Sequence, residues 1–127
     1  MPAPLDRLVE APRPLLILDL DETLIHSASD PLARPCDFRT RYYHVYVRPG
    51  LAPFLDFCLQ EFQVAIWTAG SEGYAQEIVS RLVPAPATLA FLWSADRCTM
   101  RRDPETGWPS IRKNLRKVRK LGYALER

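Results

Sequence analysis

The chain has 127 residues, of which 47% are hydrophobic and 25% are charged, and its formal net charge is +2. This composition is typical of a folded globular protein, and the length corresponds to one domain. The three cysteines are far apart, odd in number and form no Cys-x-x-Cys pair. Neither a disulfide framework nor a zinc knuckle is therefore indicated, and we expect the reducing cytoplasm, or the nucleus in a eukaryote. The apolar runs are too short to span a membrane, and the first residues lack the apolar segment of a signal peptide.

The expected elements begin after a Pro-rich stretch. Residues 1–13 predict an N-terminal arm, and we assign 14–127 to a single domain. The segment "PLLILDL" at 14–20 is a short apolar run typical of a strand that is buried on both faces. Residues 26–40 are rich in turn-forming residues and predict a loop or flap, and "RYYHVYV" at 41–47 predicts a strand.

The middle of the chain alternates helix and strand. "LAPFLDFCLQEF" at 51–62 places its apolar residues on one helical stripe. "QVAIWTAG" at 63–70 predicts a second buried strand, and Ser71 is the expected N-cap of a helix over 72–83. The apolar face of that helix contains Tyr74, Ile78 and Leu82.

The last third of the chain continues the pattern. "TLAFLW" predicts a third strand at 88–93, followed by a hairpin-like loop with a turn at 103–107. A helix is expected over 111–122, with Gly122 just after its end. Its apolar stripe consists of Ile111, Leu115 and Val118.

Buried strands that alternate with helices predict an α/β fold with a Rossmann-like parallel sheet, helices on both faces and a small flap insert after the first strand. Right-handed crossovers place the carboxyl ends of the strands at one edge, where open α/β sheets bind ligands. Asp19 and Asp21, residues 68–70 and residues 94–97 should therefore meet at this edge.

Asp19 and Asp21 end the first apolar run and, two residues apart, should point the same way. Their carboxylates repel unless a cation compensates them. The pair therefore suits a hard cation such as Mg²⁺, or a nucleophile working with a general acid/base. The spacing alone leaves open that Asp21 only caps a helix. Leu24 stands where a calcium-binding loop needs glycine, which disfavours that type of site.

The segment "LILDLDETLIHS" resembles the first motif of the haloacid-dehalogenase superfamily. Its extended form resembles the branch of small C-terminal-domain phosphatases and nuclear-LIM-interactor-interacting-factor-like (NLI-interacting-factor-like) phosphatases. The resemblance covers roughly residues 14–125. The other segments that agree in order and spacing are "VYVRPGLAPFLDF", "VAIWTAGSEGYAQEIVSRL", "FLWSADRCT" and "KNLRKVRKLG".

The resemblance implies a role for each matching residue. Asp19 would be the nucleophile that forms an aspartyl-phosphate, and Asp21 would be the general acid/base. Mg²⁺ would bind to the Asp19 carboxylate and to the main-chain carbonyl of Asp21. Thr68 would bind the phosphoryl oxygens, and Lys113 would pair with Asp19 and the phosphoryl group. The residues expected to contribute further phosphate contacts are Leu20, Ala69 and Arg97.

Other interpretations of these residues stay open on the sequence alone. Thr68 could be an ordinary strand-end residue. Residues 101–127 contain nine basic and three acidic residues, which could bind an anion such as a phosphate, an acidic peptide or nucleic acid. The basic run around Lys113 is most simply a solvated helix face, and because no aromatic residues are interleaved with it, we expect no nucleic-acid partner. We expect no membrane partner either.

The family has a fourth motif, an acidic pair on a strand that follows the Lys-bearing helix and completes the Mg²⁺ site. The sequence stops at Arg127 before any such pair, so we expect one or more C-terminal strands of the sheet to be missing. The chain could be a truncated member, could complete itself with a partner or by strand exchange, or could be a binding module without turnover. An open sheet edge would also permit self-association.

The sequence therefore predicts a Mg²⁺-dependent phosphatase acting on phosphoserine or phosphothreonine in proteins. The alternative is a catalytically impaired family member that binds a phosphopeptide or another partner. A small-molecule phosphatase is a third interpretation, which the short flap disfavours because it leaves the site open to large substrates.

Overall fold

The computed structural model describes residues 13–85 and 88–123, so the expected arm at 1–13 lies almost wholly outside the described residues. The helices and strands that position the site are, in chain order, β1 (Leu15–Leu18), β2 (Ile25–Ala28), β3 (Phe38–Arg39), β4 (His44–Val47), α1 (Leu51–Glu61), β5 (Gln63–Trp67), α2 (Glu72–Leu82), β6 (Leu92–Trp93), β7 (Thr99–Arg102), β8 (Pro109–Arg112) and α3 (Arg116–Arg119). No helix within these described ranges is long and apolar enough to cross a membrane.

The central sheet is parallel, with strand order β1-β5-β6. Leu18 is paired with Ile66, and Trp67 is paired with Trp93. Parallel strands need long crossover connections, and here α1 lies between β1 and β5 while α2 lies between β5 and β6. The predicted α/β architecture with a parallel sheet is thereby confirmed, and the ends of all three strands lie at one edge.

The core has two parts, one on each face of β5, because successive side chains of a strand point to opposite faces. Val64 and Ile66 belong to the larger cluster, which also contains side chains of α1 and α2. Trp67 belongs to a smaller cluster with Trp93 and Val118 of α3. The two indole rings meet edge to face, with their centroids 4.8 Å apart. Helices therefore cover both faces of the sheet.

A second, antiparallel sheet forms the flap, with strand order β2-β4-β3. It begins only four residues after Asp21, where Ile25 is paired with Val47. The Tyr46 hydroxyl accepts a hydrogen bond from the backbone N–H of Leu32 at 2.8 Å, which ties the flap loop to β4. The predicted flap therefore contains two strands, β2 and β3, which pair with β4, and it stands beside the edge where β1 ends.

The predicted helix over 111–122 is wrong over most of its length. Ile111 is paired with Met100 in the β7–β8 hairpin, so its side chain is 53% exposed. The turn before β8 contains Gly107 at a positive φ of 74°, which favours hairpin closure over helix. Only α3 is helical, and Val118 is the one member of the predicted stripe that is buried. Gly122 adopts the expected left-handed conformation, with φ 99°.

Two further expectations for the sheet need correction. The predicted strand at 88–93 is reduced to β6, whose first pairing with β5 joins Leu92 to Ile66. The prediction that β1 is buried on both faces is wrong for Leu15, Leu16 and Ile17, which are half-buried. Within residues 13–85 and 88–123, strand β1 pairs only with β5, so one edge of β1 has no neighbouring strand to shield these side chains.

Candidate active site

A tight turn follows β1 and fixes the positions of Asp19 and Asp21. The backbone N–H groups of Leu24 and Ile25 both donate to the carbonyl of Leu20, at 2.9 and 3.2 Å. Glu22 has a positive φ of 62°, which is uncommon for a residue with a side chain. Leu20 is fully buried, so its side chain anchors the turn, while of the two flanking acidic residues Asp19 is exposed and Asp21 is half-buried.

Asp19 is paired with Lys113, the contact that the family resemblance implied. The Lys113 Nζ lies 3.0 Å from Asp19 Oδ1, and the two side chains are 29% and 48% exposed. The backbone N–H of Leu20 donates to the same Oδ1 at 2.7 Å. Lys113 directly follows β8, the second strand of the hairpin. The hairpin therefore places the Lys113 ammonium group at the end of β1.

Thr68 lies at the same edge, directly after β5. Its side chain is 1% exposed, and its hydroxyl oxygen accepts a hydrogen bond from the N–H of Gly70 at 3.0 Å. Its own N–H donates to the carbonyl of Trp93 at 2.9 Å. Because β5 is the neighbour of β1, Thr68 stands beside the turn that contains Asp19, and the neighbouring Ala69 is exposed. Their roles toward a phosphate stay predictions.

Arg97 is not brought to the pair of Asp19 and Lys113. Its guanidinium lies 4.9 Å from the centre of the Trp93 ring, and its carbonyl accepts a hydrogen bond from Lys117 Nζ at 2.7 Å. Arg97 lines a separate cleft of about 290 Å³ that contains none of the other residues predicted for the site. The contact of Arg97 with a substrate phosphate stays a prediction.

Tyr74 is the functional candidate that the sequence analysis missed. Its hydroxyl donates to Asp21 Oδ1 at 2.5 Å and lies 2.5 Å from the Ser27 hydroxyl on β2. Burial and the hydrogen bond to Asp21 raise the pKa of Tyr74 above its ordinary value of 10.0. The spacing of Tyr74 with Ile78 indicated a core face, but residue 74 lies in the first turn of α2, and that turn starts at the edge of the sheet where the site lies.

A cleft of about 730 Å³ opens beside Asp21, between the flap and the start of α2. Tyr43 and Tyr74 form part of its wall, with their ring centroids 5.6 Å apart in an edge-to-face arrangement. Glu77 contributes a further acidic group and Arg41 a basic one. This cleft therefore provides a surface next to Asp21 on which groups attached to a phosphate could lie.

Comparison with known proteins agrees with this geometry. Residues 14–126 match the family model of the NLI interacting factor-like phosphatases. The chain belongs to this family. The resemblance that the first motif indicated is therefore confirmed.

Several NLI interacting factor-like relatives are similar over most of the chain. The CTD nuclear envelope phosphatase 1 homolog of Caenorhabditis elegans is 33% identical over 109 residues, which cover 74% of this chain and 44% of that protein. The CTD nuclear envelope phosphatase 1 of Xenopus laevis is 31% identical over 114 residues, covering 78% and 47%. The chain thus spans less than half the length of these relatives.

Solved structures support the same fold. The fission yeast RNA polymerase II CTD phosphatase Fcp1, in a structure bound to beryllium fluoride, superposes with a TM-score of 0.56 at 27% identity, over 74% of this chain and 33% of that one. Another Fcp1 structure gives a TM-score of 0.53 at 25% identity, over 67% and 30%. The NLI interacting factor-like assignment therefore rests on both sequence and fold.

The oxygen donors at the end of β1 suit the Mg²⁺ ion that the family implies. Mg²⁺ prefers hard oxygen ligands and is commonly bound through one or two carboxylates together with water and substrate phosphate oxygens. The Asp19 carboxylate and the main-chain carbonyl of Asp21 are donors of this type. The ion pair with Lys113 and the hydrogen bond from the N–H of Leu20 both engage Oδ1 of Asp19, so neither of them occupies Oδ2. Among residues 13–85 and 88–123 there is no cluster of three or more His, Cys, Asp or Glu side chains arranged to hold a metal ion, so water and phosphate oxygens would supply the remaining ligands of Mg²⁺ within this part of the chain.

Gly70 allows Tyr74 to lie close to the site. A Cβ at position 70 would stand 2.8 Å from Tyr74 Cδ2 and 3.4 Å from Thr68 Oγ1. We expect Gly70→Ala to displace the tyrosine ring and to lower the free energy of unfolding by about 1–3 kcal/mol, as overpacking usually does. Urea unfolding measures this loss.

Gly73→Ala is the matched control for Gly70→Ala. A Cβ at position 73 would meet nothing within 4 Å, and Gly73 lies inside α2, where alanine favours the helix by about 1 kcal/mol. We therefore expect Gly73→Ala to leave stability unchanged or to raise it. Equal stability of the two variants would contradict the tight packing at Gly70.

Proposed function

We propose that this chain carries the catalytic site of a Mg²⁺-dependent phosphatase that hydrolyses phosphoserine and phosphothreonine in proteins. The observation that carries the proposal is the pair of Asp19 and Lys113, 3.0 Å apart, with Asp21 and Thr68 at the same sheet edge. The same pair would serve a protein that only binds phosphopeptides, so the test below includes binding as well as turnover.

The proposed reaction has two steps. Asp19 attacks the phosphorus atom, and the bond from phosphorus to the serine oxygen breaks while Asp21 gives a proton to that oxygen. Asp21 then takes a proton from the water that attacks the aspartyl-phosphate, which releases inorganic phosphate and restores Asp19. General acid/base help of this kind is typically worth about 10²–10⁴-fold.

Cationic and hydrogen-bonding groups would support both steps. Lys113 compensates negative charge on Asp19 and on the phosphoryl oxygens, and Thr68 with the nearby backbone N–H groups of Leu20 and Ala69 would bind those oxygens. Mg²⁺, when bound by Asp19 and the Asp21 carbonyl, supplies further charge compensation between carboxylate and phosphate. Arg97 is kept as a candidate for substrate contact outside this group.

The open cleft favours a macromolecular substrate. It has a volume of about 730 Å³ and lies directly beside Asp21, bordered by the flap. The relatives are named as phosphatases of a CTD, which in the Fcp1 structures is that of RNA polymerase II. Phosphorylated protein is accordingly the proposed substrate class. The assignment of 14–127 to one domain, the cytoplasmic or nuclear location and self-association through an open sheet edge stay predictions.

Phosphate release from a phosphoserine peptide tests the proposal. We expect turnover with Mg²⁺, loss of turnover after removal of divalent ions with EDTA, and recovery when Mg²⁺ is restored, because the Asp19 and Asp21 oxygens need the cation to accept a phosphate dianion. p-Nitrophenyl phosphate serves as a second substrate. A peptide that binds without release at any Mg²⁺ concentration would contradict the proposal and identify a phosphopeptide-binding module instead. High turnover on sugar phosphates would identify a small-molecule phosphatase.

A further inference from the structure

Tyr74 links the flap to Asp21 through two short hydrogen bonds. A tyrosine hydroxyl has one proton to donate, and here it points to Asp21 Oδ1 at 2.5 Å. The Ser27 hydroxyl, also at 2.5 Å, must then be the donor to the tyrosine oxygen. The result is a series of hydrogen bonds in which Ser27 of the flap donates to Tyr74 of α2, and Tyr74 donates to Asp21 after β1.

The tyrosine ring is held in place from several sides. The N–H of Tyr74 donates to the N-cap hydroxyl of Ser71 at 3.2 Å, and the Tyr43 ring packs edge to face against the ring of Tyr74. Gly70 leaves the space in which the ring lies. A ring that is restrained in this way has little freedom to turn its hydroxyl away from Asp21.

We propose that Tyr74 is a positioning residue that sets the orientation of the Asp21 carboxyl group, an inference that rests on the proposed function. The hydroxyl engages Oδ1 and so directs Oδ2 toward the leaving oxygen of the substrate. Through Ser27 the same contact makes the orientation of Asp21 depend on the placement of the flap. Misplacing a catalytic group by about 1 Å can cost on the order of 10²-fold in rate.

The two short hydrogen bonds of the Tyr74 hydroxyl, to Asp21 and to Ser27, are consistent with this role. A purely structural hydroxyl would also be buried and bonded. The distinguishing property of a positioning residue is that its loss slows the steps that need Asp21, and therefore costs more for a substrate whose leaving group must be protonated.

The test compares two substrates of different leaving group. Tyr74→Phe keeps the ring and removes the hydroxyl. We expect kcat on a phosphoserine peptide to fall roughly tenfold, the loss that corresponds to one hydrogen bond to a charged group, with KM unchanged. We expect a smaller fall in kcat on p-nitrophenyl phosphate, since p-nitrophenolate leaves without protonation and only the hydrolysis of the intermediate then needs Asp21. Tyr123→Phe, which removes a hydroxyl outside the site, should alter neither rate.

Ser27→Ala should show the same selectivity for the phosphoserine peptide with a smaller loss, because the bond from Tyr74 to Asp21 survives. If Tyr74→Phe causes an equal loss on both substrates, or no loss on the peptide, the positioning role is overturned. The proposed function still stands in that case, provided that the wild-type chain turns the substrates over. If the wild-type chain turns over neither substrate, the proposed function is overturned instead.

A stability measurement, which needs no turnover, tests the hydrogen bond between Tyr74 and Asp21 directly. In a double-mutant cycle, the shift in the urea midpoint caused by Tyr74→Phe should be smaller in the Asp21→Ala background than in the wild-type chain. Equal shifts in the two backgrounds would overturn the inference whether or not the chain is active.

Discussion

Replacing Asp19 with asparagine should reduce phosphate release to the background level, a loss of about 10⁴-fold or more for removal of a nucleophile. The amide is a poor nucleophile and cannot form the aspartyl-phosphate. It also removes the negative charge that faces Lys113 at 3.0 Å. The measurement is phosphate release from the phosphoserine peptide and from p-nitrophenyl phosphate, and both should be lost together.

Labelling with beryllium fluoride gives an independent readout of the same residue. The wild-type chain should bind BeF₃⁻ on Asp19 in the presence of Mg²⁺, and Asp19→Asn should not. Asp56→Asn is the matched control, since Asp56 is an exposed carboxylate of α1. Turnover that persists in Asp19→Asn would show that another group is the nucleophile, and an unchanged urea midpoint would exclude unfolding as the cause of a loss.

The elements around the active site were predictable where the signals are local. The apolar run of β5, the Ser71 cap and the helical face with Ile78 all depend on neighbours within a few residues, and the structure contains each of them. The Asp19 and Asp21 pair could also be placed, because two residues after a strand have a defined position at the end of a parallel sheet.

Lys113 could not be found from local patterns. It lies in a basic run that indicates a solvated helix face. The sequence predicted a hairpin-like loop with a turn at 103–107, and the structure contains this turn between β7 and β8. The helical periodicity of Ile111 and Leu115 hid the second strand of the hairpin, which places Lys113 at Asp19. Ile111 pairs with Met100 of β7 and is not helical, and both Ile111 and Leu115 are more than half exposed. Only the resemblance to a phosphatase family indicated this lysine.

Tyr74 illustrates a different limit of the sequence. Its helical spacing correctly indicates contact with the core, but the same side chain also reaches Asp21 across the cleft. Periodicity describes which face of a helix is buried and carries no information about what the end of a long side chain contacts. Gly70 and Ser27 became informative only after the fold had brought them beside that tyrosine.

Replacing Asp21 with asparagine should lower kcat on the phosphoserine peptide by about 10²–10⁴-fold, the range for loss of a general acid/base. The loss on p-nitrophenyl phosphate should be smaller, because only the hydrolysis of the intermediate then needs Asp21. BeF₃⁻ labelling of Asp19 should persist in this variant, which separates it from Asp19→Asn. An equal loss on the two substrates would contradict the assignment of Asp21 as the acid that protonates the leaving group.

The asparagine at position 21 keeps an oxygen that can accept the hydrogen bond from Tyr74, so Asp21→Asn removes proton transfer while leaving the orientation in place. Tyr74→Phe removes the hydrogen bond that sets the orientation and keeps the carboxyl group that transfers the proton. If Tyr74 acts only through Asp21, adding Tyr74→Phe to Asp21→Asn should slow the peptide reaction no further, since residues that act as a unit are non-additive. A second, independent tenfold loss in the double variant would show that the tyrosine hydroxyl contacts the substrate itself.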